Sequence, residues 1–392
     1  MSLPLNPNLA ATIEPAVTEA FRWLAEARFT KDKPLIAVSQ AAPQQPPPEA
    51  MRRAMAEMLL TDPAAHFYNP NLGFPELREA LAARTCAIYG GEVGAGQVAI
   101  TSGCNHAFAC AVATLAQAGD EVILPVPWFF NHAMWLDMQG ITPVPLPTGA
   151  DLLPDPEIAA ALITARTRAI VVVTPNNPAG VEYSAGHLRA LYDLAQRHGL
   201  ALIVDETYRD FHSARAAPHD LFTDPDWPGT LIHLYSFSKA YRLTGHRVGA
   251  LIGAADRMTQ VEKYVDSLTI CPPALGQKAA LWGIRNLDQW LSGERAEILD
   301  RRAAITAMFD ALPGWTLKGA GGFFAYVEHP FDNSSDQVAR RLLFDQAVLS
   351  LPATFFAPEN DANAKRHIRF AFANIDRAGI AALQTRLQNL AL

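Results

Sequence analysis

One arrangement recurs along this chain and constrains its fold more than any other. An apolar, β-branched run stops at a polar, glycine-rich or aromatic cluster. "QVAIT" is followed by "SGCNHA" (102–107), "EVILP" by "VPWFFNH" (126–132) and "RAIVVVT" by "PNNPAG" (175–180). "ALIV" runs into "DETY" (205–208), and "TLIHLY" into "SFSK" (236–239). Runs this short and this continuously apolar read as strands covered on both faces. Helix-like stretches near 105–117, 131–138 and 185–198 separate them, and "VGALIGA" reads as a further strand. Strand alternating with helix predicts a mostly parallel sheet between helical layers, an α/β fold.

From about Pro273 the rhythm changes. A long helical region (274–312) contains no strand-like run, and after it come "GGFFAYVEH", a helix, "AVLSLPA", "HIRFAFA" and a last helix. This reads as a second, smaller α/β domain. The Pro-rich first stretch, ending in "AAPQQPPP", reads as an arm lying on the rest. The expected organisation is an arm and part of the small domain in 1–45, a large domain in 46–275, and an interdomain helix with the small domain in 276–392.

The chain of 392 residues is 50% hydrophobic, 18% charged and has a formal net charge of -7, so no basic surface for nucleic acid or anionic lipid is expected. Four cysteines without CxxC or disulfide-like spacing fit a reducing, cytoplasmic compartment. Residues 93–119 carry no Asp, Glu, Lys or Arg. Their interspersed Gln, Ser, Asn and His predict a buried strand, turn and helix rather than a membrane span.

Ligands of open parallel sheets bind beyond the carboxyl ends of the strands. The clusters at those ends therefore share one edge. The Gly103 turn of "SGCNHA" aims backbone N–H groups and a helix dipole at an anion. Asp205, ending a buried strand, needs a cationic partner. Arg247 offers a fork for a phosphate. Lys239 is one of only seven lysines, set among small polar residues at the end of a buried strand. An anion site, a partner for a basic nitrogen and an amine for a carbonyl together match pyridoxal 5′-phosphate.

"SFSKAYRLTGHRVG" (236–249) resembles the lysine signature of the class I/II aminotransferases, fold-type I enzymes of the aspartate aminotransferase superfamily. "YNPNLGFPELREAL" (68–81), "TSGCNHA", "TPNNPAG", "VDETY" and "HIRFAF" are similar to that family's other blocks, in the same order. The resemblance spans about residue 30 to the end. It implies a large domain with a mostly parallel seven-stranded sheet between helices, plus a smaller α/β domain. It also implies transamination between an amino acid and a 2-oxo acid. Under it Lys239 would carry the cofactor as a Schiff base and act as base then acid. Asp205 would bind the pyridine nitrogen, Asn177 and Tyr208 the phenolic oxygen. Gly103, the backbone amides of Cys104 and Asn105, Ser236, Ser238 and Arg247 would hold the phosphate. Phe129, or Trp128 one residue earlier, would stack on the ring. Arg369 would clamp the substrate α-carboxylate beside Asn177 and Ala41. Tyr68 would reach the cofactor phosphate of a second subunit, so the resemblance implies a homodimer with shared active sites.

Two positions depart from the family's pattern. Ala41 stands where many members have Gly. Asn105 stands where an aspartate-using subgroup has a lysine for the distal carboxylate; Arg242 is the nearby cation that could replace it. With Trp128, Phe129, Phe130, Phe323 and Phe324 nearby, a donor with an uncharged side chain is expected, with aspartate as an alternative. A β-eliminating C–S lyase is the other reading on the same scaffold. A regulator carrying this fold behind a helix-turn-helix would need more chain before residue 30. A nicotinamide dehydrogenase would need a GxGxxG turn. His106 and His132 lack a carboxylate or Cys at ligand spacing, so no metal site is expected, and both read as core histidines.

Overall fold

The structure is a computed structural model that describes residues 3–42, 45–359 and 361–391. Its strands, in chain order, are β1 (Ile36–Ala37), β2 (Val98–Thr101), β3 (Glu121–Val126), β4 (Thr142–Pro147), β5 (Thr167–Val173), β6 (Ala201–Asp205), β7 (Leu231–Ser236) and β8 (Gly249–Ile252). They continue with β9 (Thr316–Gly321), β10 (Phe324–Glu328), β11 (Val348–Leu349), β12 (Leu351–Pro352) and β13 (His367–Ala371). Seven form one sheet in the order β2-β8-β7-β6-β5-β3-β4, as the resemblance implied. Only β8 runs against its neighbours; all other pairings are parallel. The carboxyl ends of β2 to β7 therefore meet at one edge.

The apolar runs are continuous because both faces are covered. Ile170, Val172, Leu202 and Val204 pack on one side against Leu188, Leu191 and Tyr192 of helix Ala185–Arg197. Their alternates Ala169, Val171, Ala201 and Ile203 pack on the other side against Ala107, Phe108 and Ala111. Those three lie on helix Cys104–Ala113. The uncharged 93–119 stretch is thus β2 and this helix. No helix among the described residues is long and apolar enough to cross a membrane.

A second, four-stranded antiparallel sheet has the order β12-β13-β10-β9, and β1 pairs in parallel with β11. The two sheets meet closely. Gly180, with φ of 71°, sits where a Cβ would lie 2.5 Å from the Phe324 carbonyl oxygen. No larger residue fits between the "PNNPAG" loop and the β9–β10 hairpin.

Three elements were not legible in the runs. β4 carries Pro143, Pro145 and Pro147, which argue against a strand. It forms because it is the sheet edge and pairs only with β3. The three prolines alternate, so their nitrogens face away from the ladder and block further strand addition. β9 lies in "TLKGAG", too small and polar to read as a strand. In the arm, helix Ala16–Glu26 buries Ala16, Ala20 and Trp23 against Phe130, Met134, Leu343 and Phe356. That spacing of four and three residues was the signal for it.

Beneath the sheet edge, Glu206 is fully buried. Its Oε2 lies 2.8 Å from His233 Nε2 and 3.4 Å from His219 Nε2, and it accepts from the Tyr89 hydroxyl. Burial alone would raise its pKa. The two histidines outweigh that and hold it well below the usual carboxylate range. A carboxylate held low stabilises the fold above the unfolded value of about 4.3, and loses that contribution as pH falls toward the folded value. Glu206→Ala is expected to cost about 3–5 kcal/mol in denaturant unfolding at pH 7, by leaving its partners buried and unpaired. The gap from wild type should narrow below about pH 4.3. A pH-independent gap would show that the charge is not what stabilises the cluster.

Candidate active site

The strand ends converge on a cavity of about 270 Å³. Its anion-binding wall starts at Gly103, which caps helix Cys104–Ala113 with φ of 91° and no side-chain cap hydrogen bond. The N-terminal dipole of this ten-residue helix thus faces the cavity through Cys104 and Asn105. A Cβ at Gly103 would collide with the Arg247 guanidinium, so glycine is required for that cation to lie over the turn. Gly249 has the same role one layer down, where a Cβ would sit 2.6 Å from the Gly103 carbonyl carbon. Ser236 and Ser238 line the same wall, and the Ser238 backbone N–H donates to Ser236 Oγ (3.3 Å). Arg247 is itself fixed by a left-handed backbone (φ 48°) and by donating from Nη1 to the Thr244 carbonyl (3.0 Å).

Lys239 follows β7 on a single helical turn, Phe237–Ala240, and is partly buried. Its Nζ donates to the Ala41 carbonyl (2.6 Å). Burial, reinforced by Arg247 and Arg369, lowers its pKa to about 8. A sizeable free-amine fraction therefore exists at neutral pH, which a solvated lysine lacks.

Asp205 ends β6 and is 3% exposed. Burial pushes its pKa up. His132 Nε2 at 3.4 Å from Oδ2, with Thr207 donating from N (3.0 Å) and Oγ1 (2.7 Å) to Oδ1, outweighs this and keeps it below the ordinary value. The Cys104 thiol also points at Oδ1 (3.5 Å). His132 is clamped by the stacked Phe108 ring at 3.9 Å and by Phe129 edge-on at 5.1 Å. It is a site histidine and not a bystander of the core. Its position two residues into helix Phe130–Met138, behind a strand end, was the only sequence signal for it.

Arg369 on β13 is 3% exposed, and its guanidinium lies 4.7 Å from both the Phe324 and Phe356 rings. Nη1 donates to Asn177 Oδ1 (2.8 Å) and Nη2 to the Ser39 carbonyl. No carboxylate pairs with it among the described residues, and burial lowers its pKa to about 9. A buried cation held only by neutral acceptors is suited to receive an anion. Tyr208 stands beside it, its hydroxyl pKa raised by burial, with its ring edge-on to Phe323 and Phe324.

Ala41, Asn105, Phe129 and Asn177 also line this cavity. Tyr68 does not: it is 80% exposed and borders a separate groove with Cys271 and Pro272. Trp128, Phe323 and Phe324 lie behind the cavity and do not line it, whereas Phe130, Asn131, Val17 and Gln40 do. Arg242 points elsewhere, pairing with Glu294 (2.5 Å) over the Trp290 ring. The residues present fit a phosphorylated pyridine aldehyde. The glycine cradle under Arg247 suits the phosphate, the low-pKa Asp205 a ring nitrogen, and Lys239 the carbonyl.

Known proteins give the same picture. A family model described as aminotransferase class I and II matches residues 33–387. A probable aspartate/prephenate aminotransferase of Thermus aquaticus is 28% identical over 370 residues, covering 92% of this chain and 93% of that protein. An aspartate aminotransferase of Streptomyces avermitilis is 30% identical over 80% of this chain and 78% of its own length. An aromatic aminotransferase of Arabidopsis thaliana is 26% identical over 88% and 86%. The solved aspartate aminotransferase of Thermus thermophilus with maleate superposes with a TM-score of 0.88 at 25% identity, covering 99% of both chains. The chain belongs to the aminotransferase class I and II family and is a pyridoxal-phosphate-dependent aminotransferase of fold type I.

Proposed function

We propose that this enzyme transfers the amino group of a donor with an uncharged side chain, aliphatic or aromatic, to a 2-oxo acid. The observation that carries this is the cavity's cations. Lys239, Arg247 and Arg369 are its only lysine and arginine side chains among the described residues. Each has a task already: the cofactor carbonyl, the cofactor phosphate and the donor's α-carboxylate. Asn105 is neutral, and Arg242 is spent on Glu294. A distal carboxylate would be desolvated without a partner, which is costly. Val17, Phe129 and Phe130 instead offer apolar surface.

In this reading Ser236, Ser238, Arg247 and the helix N-terminus would hold the phosphate, Phe129 would lie against the ring, and Asn177 and Tyr208 would meet its phenolic oxygen. Asp205, kept ionised by His132 and Thr207, keeps the ring nitrogen protonated. When bound, the ring supplies the electron sink for charge left at the substrate's Cα. Arg369 and Asn177 fix the α-carboxylate so that the Cα–H faces Lys239. Lys239 Nζ accepts that proton and returns it, and a value near 8 suits both roles. The enzyme works in this reading as a cytoplasmic homodimer, with Tyr68 completing the neighbour's phosphate site. The exposure of Tyr68 outside its own cavity supports that.

Half-reaction rates test the donor. Leucine, methionine or phenylalanine should convert the bound cofactor to its amine form at least tenfold more efficiently than aspartate. The reverse preference would make this an aspartate aminotransferase, as several relatives are named, and would point to a cation from the partner subunit. For Lys239, the rate at which cofactor-free enzyme captures pyridoxal phosphate should rise with pH through about 8 and then level off. A rate still climbing at pH 10 would be that of an ordinary lysine. Lys239→Ala should abolish capture. Mixed dimers of Tyr68→Ala and Lys239→Ala chains, each inactive alone, should regain part of the activity. Verified mixed dimers without activity would argue against shared sites.

A further inference from the structure

A second cavity of about 370 Å³ shares no lining residue with the first. It lies between the carboxyl ends of β3 and β4 and strands β9, β10 and β13. Its floor is apolar. Leu152, Tyr326, Ala357 and Ala364 belong to one small cluster with Val126, and the alanines leave space that larger side chains would fill. Leu152 holds a left-handed backbone (φ 60°), unusual for a leucine.

Around this floor stand charged groups with hydrogen-bonding capacity to spare. Lys318 Nζ is 3.7 Å and Arg366 Nε 3.9 Å from the Glu328 carboxylate, both beyond hydrogen-bond length. Among the described residues, neither Lys318 Nζ, the Glu328 carboxylate nor the Tyr326 hydroxyl makes a hydrogen bond. Asp361 accepts from the Ala364 N–H (2.8 Å) with one oxygen only. The formal charges of the wall cancel: Lys318 and Arg366 against Glu328 and Asp361.

We propose that this cleft binds a free α-amino acid with an apolar side chain, as its zwitterion, separately from the catalytic cavity. A neutral wall holding both signs suits a ligand holding both signs, whereas a simple anion or cation would leave half of it unbalanced. The ammonium meets Glu328 and Tyr326, the carboxylate meets Lys318, and the side chain lies on Leu152 and Ala357. The cleft borders the catalytic cavity at two points. Val126 and Pro127 lead directly to Phe129, and Ala357 follows Phe356, whose ring packs on Arg369.

The test uses the holoenzyme and α-methylleucine, which has no Cα–H to lose. Calorimetry counts every bound molecule, while the cofactor's visible absorbance responds only at the catalytic site. Two molecules per chain are expected, one of them silent in absorbance. Lys318→Glu and Glu328→Lys should each weaken the silent site at least tenfold and leave the absorbance titration within twofold. The unchanged absorbance titration also reports that the variants are folded. Combining the two substitutions should restore much of the silent binding, because the wall is neutral again. No molecule bound beyond those the absorbance reports would overturn the proposal. So would a silent site indifferent to both reversals, or one that takes 4-methylpentanoate, the carboxylate without the amine, equally well.

Discussion

Three cations, of which Arg369 is buried and Lys239 partly so, face one buried carboxylate across the cavity, and much of the architecture exists to make that arrangement tolerable. Arg369 and Lys239 lose water there that both would prefer, while Arg247 stands at the exposed rim. The fold holds them instead with neutral acceptors: the carbonyls of Ala41, Thr244 and Ser39, and the amide oxygen of Asn177. These supports fix direction without cancelling charge. The cavity therefore keeps a positive excess, and only anions from outside can balance it. A cofactor phosphate and a substrate carboxylate are two such anions. Their recognition and the lowered pKa of Lys239 have one cause, because the cations that would bind them also depress the lysine.

That excess explains why two sheets are needed. Lys239, Asp205 and the glycine cradle belong to the seven-stranded sheet, while Arg369 belongs to β13 of the four-stranded sheet. The hydrogen bond from Arg369 to Asn177 joins the two. Gly180 permits the contact by letting the loop after β5 meet the β9–β10 hairpin backbone to backbone. The α-carboxylate clamp proposed for Arg369 would thus be set by the fit between sheets. A change at Gly180, remote from the chemistry, would act on substrate binding through that fit.

The polar groups of the cavity were legible in the sequence where each follows a buried strand, since a polar residue there has few structural excuses. Lys239, Asp205 and the Gly103 turn could be located from that rule alone, and the family blocks then added Asn177 and the roles. The rule failed where position depends on tertiary contact. Pro-rich β4 is a strand only because nothing pairs beyond it. His132 reads as a core residue until Asp205 is seen 3.4 Å away. Phe323 and Phe324 were expected near the substrate, yet they back Tyr208 and Arg369 from behind. Adjacency in sequence said nothing about which ring faces the cavity.

The cavity residues least visible in the sequence are those that the proposed function would set against the donor's side chain. Val17 comes from a helix in the Pro-rich arm, Gln40 from the segment after β1, and Asn131 from the first turn of a helix. None lies in a block that carries the family resemblance. This division follows from the chemistry. Holding a phosphate, a pyridine nitrogen and an α-carboxylate imposes fixed charges at fixed places on any enzyme of the family. The donor side chain imposes only shape and polarity, which many sequences can meet. In that reading specificity would sit on the arm and on loop edges, where small packing changes alter the surface without disturbing the buried charges. A relative 28% identical over most of the chain need not share its donor. The names of relatives accordingly constrain the donor far less than Asn105 and Val17 do.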